Sequence, residues 1–263
     1  MKKDEIRNAN RKALPKFFLV LAVCMVVGGV AGYSSAKYGL DKMAGSIKNV
    51  GMVFGTHVAP WLMVAIAVIV PVICIAIYRS AKKLLGTWDG EDEDISDEID
   101  RKLSTAIWIS STSLVFSYFL IAAAYSGGFA MFDSTERTVV LFVGIAAFFA
   151  VMIEAILIQQ KCVDTAKRTN PEKKASIYDM RFQKKWMEDC DEAEKIMIGK
   201  CAYKAYTATN TVCTILAIVL AVCALVFEIG FLPSLVVCLV WIVNLSVYCK
   251  EAMRYSKAGN KIS

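Results

Sequence analysis

The sequence predicts an all-α fold: a polytopic integral membrane protein built as a six-helix transmembrane bundle, with a cytoplasmic, membrane-associated helical loop region. Three observations carry that class. Of 263 residues, 57% are hydrophobic and 21% charged, and the mean hydropathy is +0.50. The apolar residues come in blocks of about 20, the length a hydrocarbon layer demands. The 30 basic residues fall almost wholly to one side of those blocks. These features exclude a soluble globular enzyme, a disordered chain and a disulfide scaffold. The stretches between blocks are too short to hold a second core, so residues 1–263 read as one membrane domain.

Six stretches are long enough to cross: Phe17–Ala36, Val58–Tyr78, Ser104–Tyr125, Val139–Ile158, Thr207–Glu228 and Phe231–Cys249. None contains Lys or Arg. Helices satisfy the backbone within single segments of this kind, whereas a barrel shows alternating runs of about 10 residues. The first stretch follows Lys2, Lys3, Arg11, Lys12 and Lys16, which also suits a cleaved signal peptide. The long leader with Asp4 and Glu5, and the spanning length of the block, favour a retained helix.

Residues 37–57 place Leu40, Met43, Ile47 and Val50 near one helical face, predicting an interfacial helix on the outer surface. His57, the one histidine, stands at the outer end of the second span with Trp61 one turn on. Pro71 is expected to kink that span. Segment 79–103 carries Trp88-Asp89-Gly90-Glu91-Asp92-Glu93-Asp94, then Ile95, Ile99 and Leu103 at four-residue spacing. It reads as a turn and a helix running straight into the third span. Its acids do not fit an EF-hand loop, because position six, counted from Asp89 or Asp92, is Asp94 or Asp97 where glycine is needed. A solvated acidic collar opposite Lys82, Lys83, Arg101 and Lys102 is the plainer reading.

In segment 160–206, Asn170-Pro171 ends the helix leaving the fourth span, since the residue before proline is pushed away from α geometry. From Lys185 onward a helix is predicted, with Trp186, Cys190, Ala193, Met197 and Cys201 on one face. Acids Glu188, Asp189, Asp191, Glu192 and Glu194 precede Lys195, Lys200 and Lys204, an order that complements the helix dipole. Tyr203 and Tyr206 arrive where the chain meets head groups.

Orientation follows from charge. With six spans, one side holds 26 of the 30 Lys and Arg residues and the other holds four. The positive-inside rule then places both termini and the segments 79–103 and 160–206 in the cytoplasm. The net charge of +6 reflects this topology and anionic lipid, not a nucleic-acid surface. None of the nine cysteines falls in an external loop, so structural disulfides are not expected.

Catalytic chemistry finds little support. One histidine cannot build HExxH, a zinc site of several imidazoles or a Ser–His pair with a cytoplasmic partner. No GxSxG or Walker A loop occurs. No catalytic residue, cofactor or metal is assigned, and an enzyme is not expected. Polar residues inside spans are costly and therefore informative. Glu154 is the acid well inside a span. Ser110, Ser113, Asn210, Thr214 and Asn244 lie at similar depth, and Ser110, Ser113 and Ser117 share a face. They form a candidate polar layer, either the floor of a cytoplasm-facing cavity or hydroxyls and amides that hold helices together.

The string Asn170-Pro171-Glu172-Lys173-Lys174 is followed by Ser176, Tyr178, Asp179, Lys185 and Trp186, then by Cys190-Asp191-Glu192-Ala193-Glu194-Lys195 and Ala202-Tyr203-Lys204-Ala205-Tyr206. With Trp88-Asp89-Gly90-Glu91-Asp92-Glu93 and the six-span layout, it resembles an uncharacterised family of membrane proteins from Gram-positive bacteria. That family has no established catalytic residues. Its genes' proximity to small transcriptional regulators or ABC transporters implies stress-response or peptide-immunity roles. The expected function is a non-enzymatic envelope accessory, stress-response or peptide-immunity factor, partnered by the bilayer and by another membrane protein or transporter. The alternative is a small permease or channel using the layer around Glu154.

Overall fold

The computed structural model describes residues 49–126, 128, 132, 134–227 and 229–257, with isolated positions from 15 to 37. The predicted first span and residues 38–48 of the predicted interfacial helix lie outside this set, apart from those isolated positions. Among the described residues the regular structure is helical, without strands. A π-turn, Phe54–Val58, leads into α1 (Ala59–Thr87), followed by α2 (Glu93–Ala124), α3 (Thr135–Thr169), α4 (Phe182–Glu188), α5 (Glu192–Phe227) and α6 (Leu232–Lys257).

Five of these helices are long and apolar enough to cross a membrane, and the second to sixth predicted spans fall on them. The helices overrun the spans. At 1.5 Å per residue, the 35 residues of α3 reach about 50 Å, against about 30 Å of hydrocarbon. Hydropathy marks the apolar middle of each helix, while the charged turns continue it on either side. Residues 49–57 likewise continue straight into α1, which corrects the expectation of a separate helix there. The π-turn adjoins Pro60, whose nitrogen has no hydrogen to donate. Pro71 lies inside α1 without ending it.

The chain divides into two compact units, Lys48–Met197 and the combination of Met1–Ile47 with Ile198–Ser263. In the first, α1, α2 and α3 pack pairwise in an up-down-up bundle. One core cluster joins Ala59 and Met63 at the start of α1 to Leu120 and Ala124 at the end of α2 and to Leu141 and Ala147 of α3. A second joins Cys74 and Ala81 to Ile99, Leu103 and Ala106, and to Ile158 and Cys162. Small residues recur in both, which lets the helix axes approach closely. Gly55 shows the closest approach: a Cβ there would stand 2.0 Å from the carbonyl oxygen of Ala123.

The turn before α2 uses the acidic run. Trp88 leaves the helix in extended geometry, and Gly90 takes φ +95°, a region glycine enters without a Cβ penalty. The Asp89 Oδ1 accepts the amides of Glu91 at 3.0 Å and Asp92 at 3.1 Å. Asp92 then caps α2 by accepting the Ile95 amide at 3.2 Å. Asp89 and Asp92 are thus turn and cap acceptors.

The helix expected from Lys185 onward is broken. α4 stops at Glu188, and α5 begins at Glu192. The reason is a reciprocal cap: the Glu194 amide donates to Asp191 Oδ1 at 2.7 Å, while the Asp191 amide donates to Glu194 Oε2 at 3.0 Å. Such a box satisfies amides that a helix start leaves open.

Candidate functional site

The polar residues separate into three groups, two in the first unit and one in the second. In the first unit, α3 presents Glu154 toward α2 and the middle of α1. Glu154, Ser110, Ser113, Val70, Pro71 and Val151 line a void of about 10 Å³. That is room for at most about one water molecule. The serine hydroxyls do not reach across helices. Ser110 donates to the Ile107 carbonyl at 3.0 Å and Ser113 to Ile109 at 2.8 Å, both within α2. The side-chain pairs that bond across these helices lie elsewhere: Gln159 to Ser111 at 3.0 Å, and Thr165 to the Tyr78 hydroxyl at 3.2 Å. Sequence reasoning missed both pairs, because Ser111 is hidden in the hydroxyl run Ser110-Ser111-Thr112-Ser113 and Thr165 lies in a charged turn beyond the fourth predicted span.

Glu154 also faces a larger cavity between α1 and α3, of about 350 Å³. Its walls are apolar at Ile75 and Leu157 and basic at Arg79, Lys82 and Lys161.

The second group holds the family-like loop residues. Asn170 closes α3 by donating its amide to the Ala166 carbonyl at 3.0 Å, and its side chain bonds the half-buried Asp100 of α2. Pro171 follows, exposed. Lys173 turns inward and is only 3% exposed. Its ammonium pairs with Glu194 and donates to the Cys190 sulfur at 3.2 Å. It also lies 5.5 Å from the Trp186 ring centre, within cation–π range. Trp186 packs on Phe182, and the buried Cys190 donates to the Trp186 carbonyl at 3.2 Å. Asp191 and Glu194 form the cap already described, and exposed Glu192 pairs with Lys195.

Charge balance in this group has clear causes. Burial opposes the Lys173 ammonium, but its bonds to Glu194 and Cys190 outweigh that and hold it above the ordinary lysine range. Burial likewise opposes the Glu194 carboxylate, yet Lys173 and the Asp191 amide hold it below the usual range. Asp100, before the apolar stretch of α2, is lifted by burial despite the bond from Asn170, with Asp97 and Glu194 adding repulsion. The arrangement is a closed lock. Its ammonium is held by Glu194, Cys190 and the Trp186 ring.

The third group lies in the second unit. The Asn210 Oδ1 accepts from Trp241 Nε1 at 3.1 Å and from Asn244 Nδ2 at 3.2 Å, joining α5 to α6. Thr214 donates back to the Asn210 carbonyl at 2.8 Å. Tyr206 stacks on Tyr248 with ring centres 4.3 Å apart, and Tyr203 is exposed. Trp241 was not anticipated as the partner of Asn210. The three-residue turn of the sequence places it one helical turn before Asn244, and that spacing was the available signal.

Among the described residues, no three His, Cys, Asp or Glu side chains gather as metal ligands. A family model described as "Protein of unknown function (DUF3169)" matches residues 11–252. Neither a curated protein nor a solved structure matches the chain.

Proposed function

The chain belongs to the DUF3169 family of proteins of unknown function, and from that premise we propose that it is a bacterial multi-pass membrane protein acting without catalysis, as an accessory, stress-response or peptide-immunity factor of the envelope. The observation that carries the membrane part is the outward apolar surface of long helices. Val72, Trp108 and Val115 are 65%, 68% and 68% exposed, and such faces suit lipid rather than water. The 26-to-4 partition of basic residues supports six spans with cytoplasmic termini. Single-cysteine labelling in a cysteine-free background tests this. Position 133 should react from outside, and positions 90 and 176 only after the membrane is opened. External reaction at position 90 overturns the topology.

The packing beside Glu154 puts the accessory reading before transport, because a void of about 10 Å³ is no solute path. The cavity of about 350 Å³ reaching the same Glu154 favours a small permease as the second reading. Deletion and reconstitution separate them. An immunity factor predicts greater sensitivity to membrane-active peptides on deletion, with no flux in proteoliposomes. A permease predicts ion- or solute-dependent flux.

A further inference from the structure

The cavity between α1 and α3 has a built-in polarity. Arg79, Lys82 and Lys161 stand at one end, and no ion pair neutralises any of them among the described residues. Glu154 lies seven residues back along α3 from Lys161, about 10 Å deeper. Between the two levels the wall is apolar: Ile75 is 39% exposed and Leu157 46% exposed. The bond between Thr165 and the Tyr78 hydroxyl ties the two walls near the basic end, so the cleft is preformed.

We propose that this cavity binds one anionic glycerophospholipid, with its phosphate among Arg79, Lys82 and Lys161 and an acyl chain along Ile75 and Leu157. The chemistry selects this occupant at three points. Three unpaired cations at head-group level need a negative partner, and basic pockets between membrane helices are met by anionic head groups. The apolar wall beneath needs hydrocarbon. Glu154 at the deep end offers an anion no counter-charge, so the head group sits at the mouth with the three cations. A soluble phosphate would satisfy the cations and leave the wall bare. The volume, about 350 Å³, accommodates a head group with the upper part of a chain, the remainder lying in the bilayer.

The proposal rests on the membrane reading, and the test separates the two. The full chain is first checked for retention in alkali-washed membranes; its release would end both readings. It is then purified in detergent and titrated in native mass spectrometry with phosphatidylglycerol and phosphatidylcholine of identical chains. Wild-type protein should hold the anionic lipid roughly ten- to a hundredfold better. The variant Arg79→Gln/Lys82→Gln/Lys161→Gln should lose that preference. The charge-conserving Arg79→Lys/Lys82→Arg/Lys161→Arg should keep most of it, which guards against misfolding as the cause. Lys83→Gln/Lys167→Gln/Arg168→Gln, bases at the same end but not lining the cavity, should leave it unchanged. Equal retention of both lipids, equal loss in the last variant, or full displacement by millimolar inorganic phosphate would each overturn the proposal while the membrane reading stands.

Discussion

The ammonium of Lys173 and the carboxylate of Glu194, 21 residues apart, form an ion pair that fastens the loop after α3 to the first turn of α5. Its two ends differ. The Lys173 side chain is 1% exposed and the Glu194 side chain 32%. Removing Glu194 therefore strands a buried ammonium, whereas removing Lys173 leaves a carboxylate that water and the Asp191 amide still serve. Glu194→Ala should cost about 1–3 kcal/mol. Lys173→Met, which fills the same space without a charge, should cost under about 1 kcal/mol. Thermal unfolding of the purified variants checks the order. A Lys173→Met variant as unstable as Glu194→Ala would mean that the cation is not the group the fold must satisfy.

The same lock predicts a pH profile. The Glu194 carboxyl is held low, so its contribution is present above its unfolded value of about 4.3 and is lost as pH falls through the lower folded value. Lys173 is held high, so its contribution is present below about 10.4 and is lost as pH rises through the higher folded value. Asp100 runs the other way: raised by burial, its charged form costs stability that is relieved as pH falls through its folded value toward about 3.9. Hydrogen-exchange protection over residues 170–195, corrected for intrinsic rate, should be flat from about pH 6 to 9. On acidification it should hold or rise slightly before it falls. In Asp100→Asn the rise should vanish while the final fall remains. A steady loss from neutral pH downward would contradict this assignment.

The long helices were legible because a bilayer imposes length and excludes charge, and both are visible in a linear chain. The charged continuations of two of them were legible as well: Ile95, Ile99 and Leu103 at four-residue spacing lead α2 into its apolar stretch, and Asn170-Pro171 stops α3 at Thr169. The break at Asp189–Asp191 was missed because Trp186, Cys190 and Ala193 fit one helical face. The competing signal, an acid at Asp191 with Glu194 three residues on, is the pattern of a capping box, and it won. The burial of Lys173 had no local signature at all. It depends on Glu194, Cys190 and Trp186 being brought together by the turn. At Ser110 and Ser113 the shared face was readable, but the hydroxyl partners were not, since each lies within α2 itself.

Glycines give a graded test of packing. A methyl at Gly55 meets the Ala123 carbonyl oxygen at 2.0 Å and the Ser126 Oγ at 2.5 Å. The first is backbone and cannot swing aside, so Gly55→Ala should cost about 2–3 kcal/mol. At Gly144 the nearest atoms are the flexible Met63 Cε at 3.0 Å and Pro60 Cβ at 3.1 Å, and the cost should be about 1 kcal/mol. Gly199, in α5, has nothing within 4 Å among the described residues, so Gly199→Ala should gain up to about 1 kcal/mol from helix propensity. The unfolding midpoints should rank in that order. If Gly55→Ala unfolds at the wild-type temperature, the π-turn and the end of α2 do not approach as closely as the structure has them.

Glu154 separates a working carboxyl from one that merely ties helices together. It makes no hydrogen bond among the described residues, and the hydroxyls of Ser110 and Ser113 beside it are spent on their own helix. A group without a partner contributes no glue. Glu154→Gln should therefore shift stability by less than about 0.5 kcal/mol, and Glu154→Leu should leave it unchanged or raise it, because a polar group leaves an apolar wall. Unfolding measured in the same detergent or bilayer for all three proteins decides this. A loss above about 1 kcal/mol in Glu154→Leu, recovered in Glu154→Gln, would show that the side chain holds the helices after all. Tolerance of both changes in stability means that any need for Glu154 in the cell comes from what its carboxyl faces in the α1–α3 cavity.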